Sequence, residues 1–463
     1  MMFDTFILEG ERKTPIVETA DVVVAGSGPA GIGSALAAAR NGARVLIIER
    51  EYALGGMMTT GLMSKIAISE RIQGIPREVI ARLAETGMAL PKGAPEIPID
   101  PEETKYLLDD MLLAENVTLM LGSSVVGAHV ENGDVKAVIV ENKSGRQAVA
   151  SKVFIDATGD GDLSVFAGAA YEYGRKEDGL CSSPTLMFRI GNVDVNAMLD
   201  YVLEHPEDLA GYSFDEPVDP APFIEAIRGT PQSYCKFGRF NALINRVAET
   251  HTFTEWEWQV LRARNGFVIL NMPQPDQVLV NSTRILHHNA TDAKSLSDSM
   301  VEGRRQIRFI SDFLKRYLPG FEQSYTMDTA ALMGVRESRR IVGEYMLGEE
   351  DVLGQARFDD VILRNTGGIE VHSPTGNELK IVHLKRGEWY DISYRTILVK
   401  GLNNLMVAGR CFSASHLAQS AARSIGFCMA LGQAAGTAAA LATGRNIPLR
   451  QVPAAELKRL LPL

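Results

Sequence analysis

The chain of 463 residues is poor in cysteine and has no long block of one charge. Its cysteines lie far apart without a CxxC pair, which argues against a zinc site and a secreted disulfide framework. They are Cys181, Cys235, Cys411 and Cys428. The 47 basic and 57 acidic residues are dispersed and give a net charge of −10, so electrostatics does not support nucleic-acid binding.

Targeting and membrane signals are also missing. The first 18 residues contain no basic segment followed by an apolar run, so we expect no signal peptide. The longest weakly polar stretch, residues 427–442, is short for a membrane span and is dominated by alanine and glycine. With 46% hydrophobic residues, the chain can bury a large core, and its length predicts two or three structural units. We therefore expect a cytoplasmic globular protein without a membrane span.

The most informative segment is residues 20–49, which read ADVVVAGSGPAGIGSALAAARNGARVLIIE. A β-branched run at 22–24 predicts a buried strand, and the alanine-rich residues 29–40 predict a helix. The glycines between them permit a tight turn, a close approach to pyrophosphate and close helix packing. These glycines are Gly26, Gly28 and Gly31. Strand, turn and helix in this order predict a dinucleotide held at a helix N-terminus.

The next strand, 44–48, ends in Glu49, which indicates the kind of nucleotide. A carboxylate there accepts hydrogen bonds from ribose hydroxyls and repels a 2′-phosphate, so NADP is disfavoured while NAD and FAD stay open. The pair Gly55 and Gly56 then lets backbone pass close to a bulky second group, as an extended FAD would supply. The segment favours FAD.

After residue 49, segments typical of the nucleotide-binding fold alternate with segments of another kind. A helix is predicted over 100–114, and strong turn signals separate the strands of a β-meander over 117–155. These strands are 117–120, 124–131, 135–142 and 148–155. The last runs into IDATGDGD, whose small residues permit backbone contact with a ligand. A long, less regular region follows. After it, a buried strand at 404–410 and an Ala/Gly helix at 424–443 again show the strand and helix pattern of residues 20–49.

Five motifs occur in order along the chain: AGSGPAGIGSALAAARNGARVLIIE, LGGMMTTGL, FIDATGDGDLSVFAGA, GVRESRRIVGEY and NLMVAGRCFSASHLAQSAARSIGFCMALGQAAGTAAALA. Together they resemble the bacterial FAD-dependent oxidoreductases of the glutathione-reductase-like superfamily. The resemblance implies an α/β fold in which a Rossmann-type FAD-binding domain with a β-meander is interrupted by an α+β substrate domain. It places the FAD-binding domain in 1–70, 100–170 and 392–463, and the substrate or cap domain in 71–99 and 171–391.

The resemblance also implies which residues contact FAD. At the pyrophosphate and adenosine ribose we expect Gly26, Gly28, Pro29, Ala30, Gly31, Glu49 and Arg50. At the nucleotide end we expect Val126 beside the adenine, with Ala157, Thr158 and Gly159. Towards the ribityl chain and flavin ring we expect Gly55, Gly56, Thr59, Gly409, Arg410, His416, Ser424 and Ile425. The helix that opens near Ser424 would direct its positive end at the negative charge of reduced flavin.

Absent motifs narrow the chemistry. No cysteine pair follows Gly55 and Gly56, which argues against a disulfide reductase, and no second glycine-rich fingerprint indicates tightly bound NAD(P)H. The last strand is followed by GRCFSASH instead of a GDAAH-type element, which argues against an aromatic hydroxylase. We therefore expect a dehydrogenase or reductase that moves a hydride between flavin N5 and a small polar, carboxylate-bearing substrate. The alternatives are a flavoprotein monooxygenase and a non-catalytic FAD-binding subunit that transfers electrons.

Hydride transfer needs a group that handles a proton and cations that anchor an anionic substrate. The candidates are His372, Tyr394, Arg336, Arg339 and Arg395. His372 matches a histidine of the family, although a loop histidine that bonds backbone is equally compatible. The arginines of VRESRR could bind a carboxylate or form a helical ion-pair lattice. No metal is expected, and the electron donor or acceptor and any homo-oligomer are left open.

Overall fold

The computed structural model describes residues 10–90, 96–209, 221, 224–225, 228, 236–237, 239–376 and 378–463. Cys235 and the first nine residues lie outside this part of the chain. Its strands are β1 Ile16–Ala25, β2 Val45–Ile48, β3 Lys65–Ala67, β4 Glu96–Pro98, β5 Thr118–Met120, β6 Ser124–Glu131, β7 Asp134–Asn142, β8 Gly145–Asp156, β9 Tyr171–Tyr173, β10 Phe188–Gly191, β11 Lys236–Phe237, β12 Ile269–Asn271, β13 Val278–Val280, β14 Tyr325–Thr329, β15 Arg339–Ile341, β16 Val361–Asn365, β17 Ile369–His372, β18 Leu379–Val382, β19 Tyr390–Ser393 and β20 Leu405–Val407. Its α-helices are α1 Pro29–Arg40, α2 Ile75–Glu85, α3 Pro101–Ala114, α4 Asp162–Phe166, α5 Val195–Glu204, α6 Asn241–Ala248, α7 Glu255–Arg262, α8 Ala293–Tyr317, α9 Glu349–Leu353, α10 His416–Ala421, α11 Ile425–Arg445 and α12 Ala454–Leu460.

The main sheet has the order β5-β2-β1-β8-β7-β6, and β20 also pairs with β8. Strands β5, β2, β1, β8 and β20 run parallel, while β6, β7 and β8 form the antiparallel meander. The meander pairs with the first half of β8, and β20 pairs with its last residues. Asn132 and Gly133 both have positive φ between β6 and β7, as a tight hairpin turn requires. The α/β Rossmann-type fold predicted from the sequence is confirmed, and the predicted meander is confirmed for β6, β7 and β8. The predicted strand 117–120 is not part of it, because β5 pairs in parallel with β2 at the opposite edge of the sheet.

Two helices cover this sheet side by side. In α1 and α11 the backbones approach so closely that a Cβ added to Gly432 would lie 2.0 Å from the Ala30 carbonyl oxygen. A Cβ on Gly436 would lie 2.1 Å from the Ser34 oxygen, so contact advances in the same direction along both helices. The helices are therefore parallel, and their positive N-terminal ends lie at the same edge of the sheet.

A second sheet has the order β11-β12-β13-β10-β14 and is antiparallel along its described strands. Its apolar faces share a hydrophobic core with α8, and this core is distinct from the core of the main sheet. The first core also receives buried side chains from residues 72–99 and 341–391, which the sequence motifs assign to the substrate domain. The predicted domain limits therefore stay a prediction.

Among the described residues, one helix is long and apolar enough to cross a membrane, namely α11. Within its most apolar window, 89% of the residues are buried inside the protein. Burial of this kind is what a core helix shows, and the many small residues of α11 are explained by its contact with α1.

Candidate functional site

The turn between β1 and α1 forms a cradle in front of the helix. Gly26 has φ +96°, and a Cβ there would lie 2.5 Å from the Ala157 carbonyl oxygen. A Cβ on Gly31 would lie 1.8 Å from the Gly26 oxygen, so both positions are closed to side chains by protein backbone. Gly28 differs, because nothing lies within 4 Å of its added Cβ. The open space at Gly28 faces the start of α1 and can accept a ligand.

The start of α1 is suited to an anion. Gly28 is the N-cap and Pro29 follows, with no side-chain cap and no acidic residue in the first turn. The first helical N–H groups, including that of Ala30, therefore have no side-chain carboxylate competing for them. Gly409 has φ +95°, and its added Cβ would lie 2.9 Å from the Ala30 Cβ, so the loop after β20 passes directly against this helix end.

The acid at the end of β2 is held in place by the glycine turn. Glu49 is 8% exposed, and its Oε2 accepts hydrogen bonds from Ser27 N and Ser27 Oγ, both at 2.7 Å. Its Oε1 accepts from Glu51 N at 2.9 Å. A carboxylate has about four acceptor sites, so further donors can still bind. The next residue, Arg50, is half exposed and lies 3.5 Å from Glu51.

The loop that follows passes against the cradle. Gly55 and Gly56 both have positive φ, and a Cβ on Gly56 would lie 3.0 Å from the Gly28 Cα. The hydroxyl of Thr59 donates to the Leu54 carbonyl oxygen at 2.5 Å and is buried. Thr59 therefore stabilises the glycine loop itself, and that bond leaves its hydroxyl proton unavailable to a ligand.

The carboxyl end of β8 supplies the other wall. The Ala157 N–H donates to the Ala25 carbonyl oxygen at 2.8 Å, and Thr158 Oγ1 donates to Asp156 Oδ1 at 2.7 Å. Gly159 has φ +81°, which places its backbone in the left-handed region. On the meander, the register shifts between Val125 and Gly127, so Val126 lies in a bulge that leaves its backbone groups outside the ladder. The role of these residues at the nucleotide remains a prediction.

Arg410 lies beside this wall in an ion pair. Its guanidinium donates to Asp160 Oδ1 and to Ser338 Oγ, both at 2.9 Å, and it is 18% exposed. Burial raises the pKa of the Asp160 carboxyl, but Arg410 and Ser338 outweigh burial and leave the pKa below its usual range. The charge of Arg410 is thus already balanced by protein, which its position after the last strand did not indicate.

Two predicted catalytic residues, Tyr394 and Arg395, lie away from this wall, and a third, Arg339, lies beside it. Tyr394 is 5% exposed and donates to the Leu449 carbonyl oxygen at 3.0 Å, as a core tyrosine. Arg395 is 49% exposed and pairs with Asp360 at 3.0 Å on the surface. Arg339 pairs with Asp162 and with the Asp160 carbonyl oxygen. The contacts of Tyr394 and Arg395 argue against a catalytic role for these two residues, whereas the role of Arg339 stays a prediction.

The VRESRR segment is not the helix that its ion-pair spacing suggested. Residues 335–338 have no regular structure, and 339–341 form β15, which pairs with β9. The ion pairs exist nevertheless, because Arg340 contacts both Glu337 and Glu172. His416 Nδ1 lies 2.8 Å from Glu337, at the start of α10, and lines a groove whose walls contain none of the glycine-turn residues. Its predicted cofactor contact stays a prediction.

Arg336 and His372 belong to a different site, which the sequence motifs indicated only in part. The Arg284 guanidinium donates to His372 Nδ1 at 3.1 Å, and His372 Nε2 lies 3.0 Å from Glu370 Oε1. Arg423 donates to the Glu370 backbone oxygen at 3.1 Å. We call Arg239, Arg264, Arg284, Arg336 and Arg423, together with Glu370 and His372, the arginine cluster.

Protonation within the arginine cluster follows from these contacts. Because Arg284 donates to Nδ1 of His372, the imidazole proton is on Nε2 and is donated to Glu370. Burial, followed by the charge of Arg336, lowers the pKa of His372 to about 2, so the ring is neutral. Burial would raise the pKa of Glu370, yet the His372 hydrogen bond and the charge of Arg423 hold it well below its usual range. A neutral imidazole with both nitrogens occupied is a poor base, so the predicted proton-handling role of His372 is disfavoured.

Arg423 connects this cluster to the helix pair. It directly precedes Ser424, whose Oγ accepts from Phe427 N at 3.4 Å as the N-cap of α11, and Ile425 begins the helix. A Cβ on Gly426 would lie 2.5 Å from the Ala67 oxygen, so the first turn of α11 needs a glycine at this position. The cluster therefore lies at the same edge of the sheet as the helix N-termini.

Comparison with known proteins decides the family. Residues 21–461 match the family model described as FAD dependent oxidoreductase. The chain belongs to this family. As a member of it, the protein is an oxidoreductase with FAD as its cofactor. The residues around Gly28 fit that cofactor, because an open cradle, an uncapped helix N-terminus and the Glu49 carboxylate suit the diphosphate and ribose of a dinucleotide.

Individual relatives of this family member are distant. One of the opine oxidase subunits of Rhizobium meliloti (strain 1021) is 34% identical over 93 residues, which cover 19% of this chain and 20% of that protein. The match thus spans one fifth of that relative's length.

Solved structures are also similar at low identity. A geranylgeranyl bacteriochlorophyll reductase-like protein from Thermoplasma acidophilum is 14% identical with a TM-score of 0.48, over 96% of this chain and 83% of that one. A flavoprotein/dehydrogenase from Cytophaga hutchinsonii is 12% identical with a TM-score of 0.47, over 96% and 82%. The L-amino acid deaminase of Proteus myxofaciens is 12% identical with a TM-score of 0.44, over 98% and 96%.

Proposed function

We propose that the protein is a FAD-dependent dehydrogenase or reductase that transfers a hydride between a carbon of a small carboxylate-bearing substrate and N5 of the flavin. One observation carries this proposal. Arg423 connects the arginine cluster directly to the N-cap of α11 and contacts Glu370. Cations that suit a carboxylate are therefore adjacent to the helix end that suits a reduced flavin.

Each part of the chain has a defined task in this proposal. The cluster's guanidinium groups bind and orient the carboxylate, with two parallel hydrogen bonds as the favoured geometry. His372 acts as a positioning residue, because it holds Arg284 and Glu370 at fixed distances on its two nitrogens. When bound, FAD supplies the hydride acceptor or donor. The N–H groups at the start of α11 favour negative charge beside Ser424.

The test is anaerobic flavin reduction. The purified holoprotein is mixed without oxygen with small 2-hydroxy and 2-amino carboxylates and with their uncharged amides, and the flavin absorbance is followed. We expect at least one carboxylate to bleach the flavin, its amide to fail, and Arg284→Met to slow reduction at least tenfold. Arg395→Met removes an exposed arginine and is the matched control. Reduction by the amides as fast as by the acids would contradict the proposal.

One alternative has an observation in its favour. The relative from Rhizobium meliloti is one subunit of an oxidase, which favours a protein that exchanges electrons within a complex. Such a protein would not be bleached by any carboxylate in the same experiment, and would be reduced only when its partner is added. A monooxygenase would form product only with oxygen present.

A further inference from the structure

The arginine cluster has a large excess of positive charge. Four of its arginines, Arg264, Arg284, Arg336 and Arg423, act on one another or on Glu370. Among the described residues, Glu370 is the one carboxylate that hydrogen-bonds within this group of four arginines and His372. Other acids near it have cations of their own. Glu96 pairs with Lys65 at 2.6 Å, and Glu337 pairs with Arg340 and His416. Glu378, which acts on Arg284, is exposed to solvent.

Two of these arginines are held away from bulk water. Arg284 is 4% exposed and Arg336 is 8% exposed. The Glu370 side chain is 47% exposed although its hydrogen-bond partner His372 is 2% exposed, and we call the accessible space beside Glu370 the recess. An unneutralised guanidinium in such a place costs several kcal/mol unless an anion joins it.

Several buried polar atoms near the recess have no hydrogen-bond partner in the described part of the protein. The buried Nε of Arg423 has no hydrogen-bond acceptor in the described part of the protein. The Arg336 guanidinium donates to the Ser183 carbonyl oxygen, and the hydroxyls of Ser183 and of nearby Thr185 are buried without a partner. Buried donors of this kind normally make hydrogen bonds, so their lack of partners indicates an acceptor that binds here.

The charges also act on one another. Burial first, and then the charge of Arg264, lower the pKa of Arg284 to about 10. Burial also lowers the pKa of Arg336 well below its usual range, and repulsion by Arg264, Arg423 and Arg284 lowers it in the same direction. Arginine stays protonated at neutral pH, so this repulsion persists until anionic charge enters the recess. One carboxylate would leave most of it uncompensated.

We propose that the substrate of this site is a compact dianion, and that Arg284, Arg336 and Arg423 bind its two anionic groups in the recess beside Glu370. The inference rests on the proposed function, whose substrate it narrows from a carboxylate to a molecule with two such groups. Carboxylate and phosphate oxygens satisfy guanidinium groups with the same geometry, so the second anionic group beside the carboxylate is another carboxylate or a phosphate.

Binding is measured without turnover. The holoprotein is titrated at constant ionic strength with succinate, inorganic phosphate and acetate, and the flavin difference spectrum and Tm are recorded. We expect succinate or phosphate to bind at least tenfold more tightly than acetate, because a second charge-assisted contact contributes roughly ten- to hundredfold. Tighter succinate identifies a dicarboxylate, and tighter phosphate identifies a carboxylate that also carries a phosphate. Equal affinities for all three would overturn the proposal.

Variants with matched charge changes complete the test. Arg336→Gln should weaken dianion binding at least tenfold, whereas Arg395→Gln, the same change at an exposed ion pair, should leave it within twofold. Glu370→Gln removes the opposing carboxylate and should tighten binding severalfold. An Arg336→Gln titration identical to that of Arg395→Gln would contradict the proposal. Dianion binding without flavin reduction by any carboxylate would instead reject the proposed function, and would leave the recess as a dianion-binding site and not a substrate site.

Discussion

Replacing Gly432 by alanine should force α1 and α11 apart. The new Cβ would lie 2.0 Å from the Ala30 carbonyl oxygen, about 1 Å short of the closest contact that real side chains make. That oxygen belongs to helix backbone, so the strain cannot be relieved by rotating a side chain. The helices must separate by about 1 Å, and the contacts along their shared face weaken.

The cost follows from overpacking. Added methyl groups in well-packed cores typically destabilise by about 1–3 kcal/mol, and the rigid backbone on both sides places Gly432→Ala at the upper end of that range. Gly444 provides a matched control in the same helix, because nothing lies within 4 Å of its added Cβ. Gly444→Ala should stabilise by roughly 0.5–1 kcal/mol, since alanine favours the helix more than glycine does.

The assay is urea unfolding of both variants, with flavin content measured from the absorbance of the folded protein. We expect the midpoint to fall for Gly432→Ala and to rise slightly for Gly444→Ala. The first variant should also lose FAD affinity, because the two N-termini no longer converge. Equal midpoints for the two variants would refute the close parallel packing of α1 and α11.

Three further predictions concern the site. Gly28→Leu should keep the circular dichroism of the wild type but lose flavin absorbance, because its side chain fills ligand space and not protein; retained flavin would contradict the cradle. Arg410→Gln should lower the free energy of unfolding by about 3–5 kcal/mol by leaving Asp160 buried and unpaired, and Asp160→Asn in the same chain should restore part of it; no rescue would place the Arg410 charge elsewhere. The pKa of His372 is lowered to about 2 in the folded protein, so below about pH 6.5 the unfolded chain binds a proton that the folded protein does not. The free energy of unfolding should therefore decrease as the pH is lowered from about 6.5, by up to about 1.4 kcal/mol per pH unit. His372→Gln should flatten that slope between about pH 6 and pH 4 in urea unfolding, and an unchanged slope would show that His372 is charged.

Local sequence patterns were sufficient to predict the nucleotide-binding part of the fold. The helix predicted over 29–40 has those bounds, and the predicted strand 124–131 is β6. Such elements depend on turn residues and apolar periodicity within a short window, which a single sequence contains.

The arginine cluster depends on contacts that no local pattern encodes. Arg284 and His372 are 88 positions apart, and Arg423 is 53 positions from Glu370. Tyr394 and Arg395 were attractive because their residue types suit catalysis, but their side chains bond the Leu449 carbonyl oxygen and Asp360. Residue type alone does not distinguish a cavity from a core or a surface, since that distinction is made by tertiary packing.

The close pairing of α1 with α11 has a consequence for the order of synthesis. Ala30 and Gly432 meet in the folded protein, yet a ribosome makes about 400 residues between them. A nascent chain that already contains the complete glycine turn still lacks the second helix N-terminus and Arg423. We therefore expect FAD binding that needs both helix N-termini to follow the emergence of α11, about 400 residues after the glycine turn is made.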